Sequence, residues 1–125
     1  MKVAGLGFRK AATVADLRAA LALTGHQPDA LASLAAKVES PAFQALAAEL
    51  NLPMIALSEE AIAGLETPTL SPRIKTRFTT GSLAEAAALC GACHGRTTAT
   101  ARLLVPRVVT ADGLATAAIA ERLTS

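Results

Sequence analysis

The 125-residue chain has no tryptophan, no tyrosine and only three phenylalanines. Proteins that hold single-stranded nucleic acid stack bases on aromatic rings, so this scarcity argues against that class. Charge argues the same way: the net charge of +2 is too weakly basic for a DNA-binding face, and no nucleic-acid partner is expected. There is no apolar run of roughly 18 residues, which excludes a transmembrane helix and a membrane partner of that kind. The opening Met1-Lys2-Val3-Ala4-Gly5-Leu6-Gly7 meets Arg9 and Lys10 too soon to be a secretory signal, so a cytoplasmic location is expected. The two cysteines are then expected to be reduced. Also missing are a G-x-S-x-G elbow, a Walker loop and an H-E-x-x-H motif, so the common hydrolase, nucleotidase and metalloprotease constellations do not apply.

What is present is 52% hydrophobic and rich in alanine, enough apolar surface for one core in a single domain spanning 1–125. Val3 to Phe8 reads as a buried strand. Thr13-x-x-Asp16 resembles a capping box opening a helix with Val14, Leu17 and Leu21 on one face, closed by Thr24-Gly25. Leu31 to Val38 reads as a second strand ending at Lys37. Pro41 suits the first turn of a helix whose Phe43, Leu46, Ala47 and Leu50 share a face, with Asn51 at its end. Pro53 to Leu57 predicts a third strand, and Ser58-Glu59-Glu60 a short helix. Residues 65–80 form the longest irregular stretch, and Ser82-x-x-Glu85 is a capping box for a helix carrying Leu83, Ala86, Ala87 and Cys90. Gly91 to Thr97 reads as a loop. Arg102 to Val109 and Leu114 to Ala120 are strands joined through Asp112-Gly113, a strong hairpin signal. The expected fold is therefore a three-layer α/β/α arrangement with a mixed, mostly parallel sheet and a C-terminal β-hairpin.

Three features carry candidate chemistry. Gly5-x-Gly7 lies between a strand and a helix, but Lys10 occupies the third small position of a dinucleotide fingerprint and Glu39 is the only acid near the second strand's end. The turn reads as tight backbone packing, with Arg9 and Lys10 at a helix N-terminus that suits an anion. Cys90-Gly91-Ala92-Cys93-His94 matches the c-type haem pattern, yet that attachment needs export, and Cys90 falls on an apolar helical stripe. Two Cys and one His supply at most three zinc ligands, so no metal and no cofactor are expected. Arg73, Lys75 and Arg77 alternate along one face of an extended segment, which reads equally as a solvated edge or as a ligand contact.

Several segments together resemble the family of CobE and the CbiG C-terminal domain, proteins of cobalamin (vitamin B12) biosynthesis. Gly5-Leu6-Gly7-Phe8-Arg9-Lys10 is similar to that family's Gly-Ile-Gly-Cys-Arg-Arg opening. Ala36 to Phe43, Pro53 to Ile62, Gly81 to Ala88, and Leu103 to Arg107 followed by Thr116 to Ala120 resemble further family segments, in order along nearly the whole chain. Two departures stand out: Phe8 replaces a frequent Cys, and Ser40 falls where Glu is common. The resemblance implies a protein that handles a corrin-type tetrapyrrole, a precorrin or corrinoid, and that meets other enzymes of the pathway. CbiG-type proteins open a precorrin lactone and release a two-carbon fragment, but they carry further domains. The readings are therefore a binder auxiliary to lactone hydrolysis, the hydrolase itself, and, from the C-x-x-C-H motif, a redox or haem protein. A binder of a carboxylate-rimmed ring needs small or aliphatic walls and scattered cations, for which the resemblance points to Gly5, Gly7, Arg9, Lys10, Lys37, Arg73, Lys75 and Arg107.

Overall fold

The computed structural model describes residues 2–58, 83–92 and 101–122. Strand β1 (Lys2–Phe8) lies at the centre of a five-stranded sheet, and Val3 through Gly7 are buried. Its side chains alternate: Ala4 and Leu6 enter one core, Val3 the other. A strand covered on both faces is what a continuous small and apolar run encodes. Beside it runs β2 (Ala30–Leu34), buried throughout and parallel, followed by β3 (Met54–Leu57), also parallel. The chain closes with the hairpin of β4 (Ala101–Val109) and β5 (Ala115–Arg122).

The crossovers follow their sequence signals. In α1 (Val14–Leu23) the Thr13 hydroxyl accepts the Asp16 N–H while the Asp16 carboxylate accepts the Thr13 N–H, a reciprocal capping box. Thr24 and Gly25, with φ +71°, end it. Between β2 and β3 the chain forms a four-residue helix, α2 (Ala35–Val38), and then α3 (Pro41–Leu50). α3 starts on its proline and stops at Asn51 in the left-handed region, φ 55°. Phe43, Leu46 and Ala47 are buried on the face it turns to the sheet. Exposed Arg18 and Glu49 form an ion pair between α1 and α3.

Two expectations are corrected here. The expected second strand, 31–38, stops at Leu34, the last residue paired with β3, and the chain turns into α2. Ala35, Ala36 and Lys37 are good helix formers, and Leu34 to Val38 carry no alternation that would hold them in a sheet. The sheet is also mostly antiparallel rather than mostly parallel. Its order is β3-β2-β1-β5-β4, with β5 inserted beside β1. The β1–β5 ladder runs the full length of β1, from Lys2 opposite Glu121 to Phe8 opposite Ala115. The β1–β2 ladder pairs only Val3, Ala4 and Gly5. The closing hairpin therefore supplies the longest partner of the central strand as well as the outer strand β4.

The hairpin turn is built as Asp112-Gly113 predicts. The Asp112 carboxylate accepts the Thr110 hydroxyl at 2.6 Å and the Leu114 N–H at 3.0 Å, and Gly113 takes φ +74°. β4 is irregular: its register shifts between Leu103 and Val105, and again between Val105 and Val108, where Pro106 lacks an N–H.

The third layer is α4 (Leu83–Ala92), on the face opposite α1 and α3. It runs through Gly91, where the sequence pattern predicts a loop. Contact with the sheet goes through backbone. A Cβ on Gly5 would fall inside contact distance of the Ala84 carbonyl oxygen and the Ala88 nitrogen, and 3.0 Å from the Ala88 Cα. Reciprocally, a Cβ on Gly91 would stand 2.8 Å from Val3 Cγ1 and 2.9 Å from the Ala32 Cβ. The alanine-rich faces thus let helix and sheet approach closely. No helix among the described residues is long and apolar enough to cross a membrane.

Candidate functional site

The three parallel strands end on one edge of the sheet, at Phe8, Leu34 and Leu57, and register places Ala115 and Val109 at the same edge. α4 runs against β1, since Ala84 lies over Gly5 and Gly91 over Val3, so its first turn also faces this edge. In α/β sheets ligands collect beyond the carboxyl ends of strands.

Lys37 is brought here by α2. Its ammonium donates to the Phe8 carbonyl, the last of β1, and stands 5.0 Å from the centre of the Phe8 ring. That ring stacks on Phe43, centroids 6.2 Å apart, which fixes its plane. The sequence pattern predicts Lys37 at a strand end; a helical turn carries it there instead, 29 residues from its acceptor. Arg9 follows Phe8 directly and is exposed, as is Lys10. The Arg9 N–H donates to the Leu114 carbonyl at 2.9 Å, which ties the β1–α1 turn to the hairpin. Around the start of α1 the Arg9 N–H is committed to Leu114, the Ala12 N–H to the Arg9 carbonyl, and the Thr13 and Asp16 N–H groups to the capping box.

The glycines divide differently from expectation. The side of Gly5 that lacks a side chain is filled by the backbone of α4, so its smallness serves helix packing. Gly7 is buried, and its carbonyl accepts the Thr116 hydroxyl at 3.2 Å. Arg73 and Lys75 lie outside the described residues, as do Arg77, the Ser58-Glu59-Glu60 helix beyond Ser58, the Ser82 cap, and Cys93 and His94. Cys90 is half-buried against the core under α4, less enclosed than the apolar stripe predicts.

Arg107 sits in the second irregularity of β4, half-buried, two strands from β1 and so about 10 Å across the sheet at the usual strand spacing. Its backbone N–H donates to Glu85 Oε2 at 2.9 Å. The sequence motif marks Glu85 only as part of a capping box, yet it is fully buried in the first turn of α4. The available signal is a lone acid inside the apolar run Leu83-Ala84-Glu85-Ala86-Ala87-Ala88-Leu89. Buried Ser33, whose hydroxyl donates to the Leu6 carbonyl at 2.8 Å, carries no such signal. Among the described residues the guanidinium groups of Arg9 and Arg107 have no hydrogen-bond or ion-pair partner.

A concavity at the opposite edge is lined by Gln44, Ala47, Asn51, Leu52, Pro53 and Met54. No charged side chain lines it. The carboxyl edge with Lys37 and Arg9, flanked on the outer strand by Arg107 level with Gly5, can instead take a ligand with a flat apolar body and several carboxylates.

The family model described as Cobalamin synthesis G C-terminus matches residues 2–120 of the chain. No curated protein matches it. Among solved structures the chain is similar to CobE, a protein from the cobalamin (vitamin B12) biosynthetic pathway, with 30% identity, a TM-score of 0.85, and coverage of 99% of this chain and 91% of that one. It is similar also to the cobalamin biosynthesis protein chiG from Agrobacterium tumefaciens str. C58, with 30% identity, a TM-score of 0.67, and coverage of 97% and 98%.

Proposed function

The chain belongs to the Cobalamin synthesis G C-terminus family, and from that premise we propose that it binds a corrin-type intermediate across the carboxyl edge of its sheet. Its role is in cobalamin biosynthesis, handling a precorrin or corrinoid. Such a ring is broad, apolar and rimmed by carboxylates, so its site needs a flat surface with cations spaced around it. The observation that carries the reading is Lys37, whose ammonium is held on the Phe8 carbonyl beside the Phe8 ring where the parallel strands end. Arg9 next to it, and Arg107 on the outer strand about three residues back from that edge, offer guanidinium groups unpaired among the described residues, at separations suited to a large ligand. Lys10, exposed in the same turn, adds positive charge, and Arg73 and Lys75 remain candidates on sequence grounds.

Absorption titration of the purified protein with a set of precorrins and corrins, at fixed salt, tests this. An Arg–carboxylate bond contributes about 1.5–3 kcal/mol, so Arg9→Ala is expected to weaken binding about ten- to a hundredfold with little change in melting temperature. Arg122→Ala, at the opposite edge, should bind like the parent. Parental affinity in both Arg9→Ala and Lys37→Met would refute the site. Incubation with a lactone-bearing precorrin and assay for released aldehyde separates a binder from a hydrolase.

A further inference from the structure

Glu85 is a fully buried carboxylate among alanines, and burying a charge is costly unless it is hydrogen-bonded. It reaches out of α4 to the backbone of an outer strand. There the ladder is interrupted: Val105 pairs with Ile119 and Val108 with Ala117, so one residue of Pro106-Arg107 is extra, and Pro106 has no N–H to give. Val105 and Val108 both pack on the α1–α3 side, while the Arg107 N–H meets Glu85 on the α4 side.

We propose that Glu85 is a positioning residue for Arg107: its carboxylate holds the Pro106-Arg107 bulge and so fixes the guanidinium that meets a carboxylate of the corrinoid. This rests on the function proposed above. A carboxylate-to-N–H bond is charge-assisted, which makes it a stiffer tether than the neutral ladder it replaces. The bulge re-aims Arg107 out of the regular strand, as bulges beside binding sites do. The specificity this confers is for ligands whose second acidic group lies well beyond the roughly 10 Å two-strand separation from the one that meets Arg9 and Lys37, because Arg107 is level with Gly5 and so also about 10 Å back along the strands from Phe8.

The test is a double-mutant cycle read by corrinoid absorption titration together with hydrogen exchange at the Arg107 amide. Arg107→Ala should weaken binding about ten- to a hundredfold. Glu85→Ala should release the Arg107 amide to exchange and weaken binding by a similar factor. The double variant should be no weaker than Arg107→Ala alone, because Glu85 acts through Arg107. Glu85→Gln, which keeps an acceptor oxygen, should stay within about threefold of the parent. Additive losses in the double variant, or parental affinity with a freely exchanging amide, would overturn the role. If Glu85→Ala does not fold, Glu85→Asp withdraws the oxygen by about 1.5 Å and keeps the charge. Faster exchange with weaker binding is then expected, and either effect without the other overturns the role. A parent that binds no corrinoid defeats the proposed function and this role together. A parent that binds, with Arg107→Ala binding equally, defeats only this role.

Discussion

Replacing Gly5 by alanine isolates the cost of a helix resting on a strand through backbone. The new Cβ would overlap the Ala84 carbonyl oxygen and the Ala88 nitrogen, and neither can swing aside as a side chain would. α4 must lift as a unit, loosening the alanine contacts along its buried face. Overpacking of a tight core costs about 1–3 kcal/mol, and a backbone obstacle puts this site at the upper end. The lower chain entropy of alanine in the unfolded state returns about 0.5–1 kcal/mol, leaving a net loss of about 2–2.5 kcal/mol. With an unfolding entropy of about 2.1 cal/mol/K per residue, a 125-residue chain loses about 4 °C per kcal/mol, so the melting temperature should fall by about 8–10 °C. Gly91→Ala is the contrast. Its Cβ would crowd Val3 Cγ1 and the Ala32 Cβ, side-chain atoms rather than the backbone that blocks Gly5, and alanine gains about 1 kcal/mol of helix propensity. The propensity gain offsets part of the crowding, so its melting temperature should fall by less than that of Gly5→Ala, by at most about 8 °C. Thermal unfolding followed by far-ultraviolet circular dichroism measures both. A Gly5→Ala protein melting within about 3 °C of the parent would refute backbone packing as the reason for Gly5; so would Gly91→Ala proving the more damaging.

The remaining predictions concern caps, turns and pH. Gly113→Ala should cost about 1 kcal/mol by forcing a Cβ into φ +74°, with Gly113→Asn less harmful; urea unfolding midpoints would show it. Asn51→Ala should cost a similar amount, about 1 kcal/mol, while Asn51→Gly should cost nothing in the same assay, since the residue sits at φ 55°. The Arg18 hydrogen bond holds the Glu49 carboxyl below its usual range. A lowered folded-state pKa means the pair stabilises above the unfolded value of about 4.3 and loses that contribution as pH falls through the folded value. Denaturant midpoints measured across acid pH should therefore show the parent ahead of Arg18→Ala near neutrality and the two converging as Glu49 is protonated. Because both groups are exposed, the gap should shrink in high salt.

Where the structure is legible in the sequence, a local rule decides the outcome. Thr13 and Asp16, Pro41, Asn51 and Asp112-Gly113 each act through neighbours within a few residues, and each sits where its chemistry requires. The end of β2 at Leu34 is not legible, because small residues such as Ala35 and Ala36 suit helix and strand alike; it is Leu57, the last pairing partner in β3, that ends β2. The sheet's character is hidden for a similar reason. Alternation of strands and helices identifies crossovers, but nothing local in Ala115 to Arg122 announces pairing with the first strand rather than with a sheet edge. The site follows the same division. Cations at strand ends can be picked out, and Lys37 does reach the end of β1. Gly5 suggests room for a ligand because smallness does not reveal which neighbour exploits it, and Glu85 stays hidden because its partner is a backbone amide 22 residues away.

The central strand has one neighbour made soon after it and one made last. The Gly7 carbonyl and the Thr116 hydroxyl that meet across the β1–β5 ladder are 109 residues apart. At about 5–20 residues per second, a ribosome needs roughly 5–20 s to bridge that interval. Until then β1 lacks its longest ladder partner, and the N–H and C=O groups on that side are open to pairing with another emerging chain. Closing so distant a pairing is also intrinsically slow. The period of greatest aggregation risk thus falls during translation, and slowing the codons just before β5 should lower the soluble yield more than slowing those just after β1.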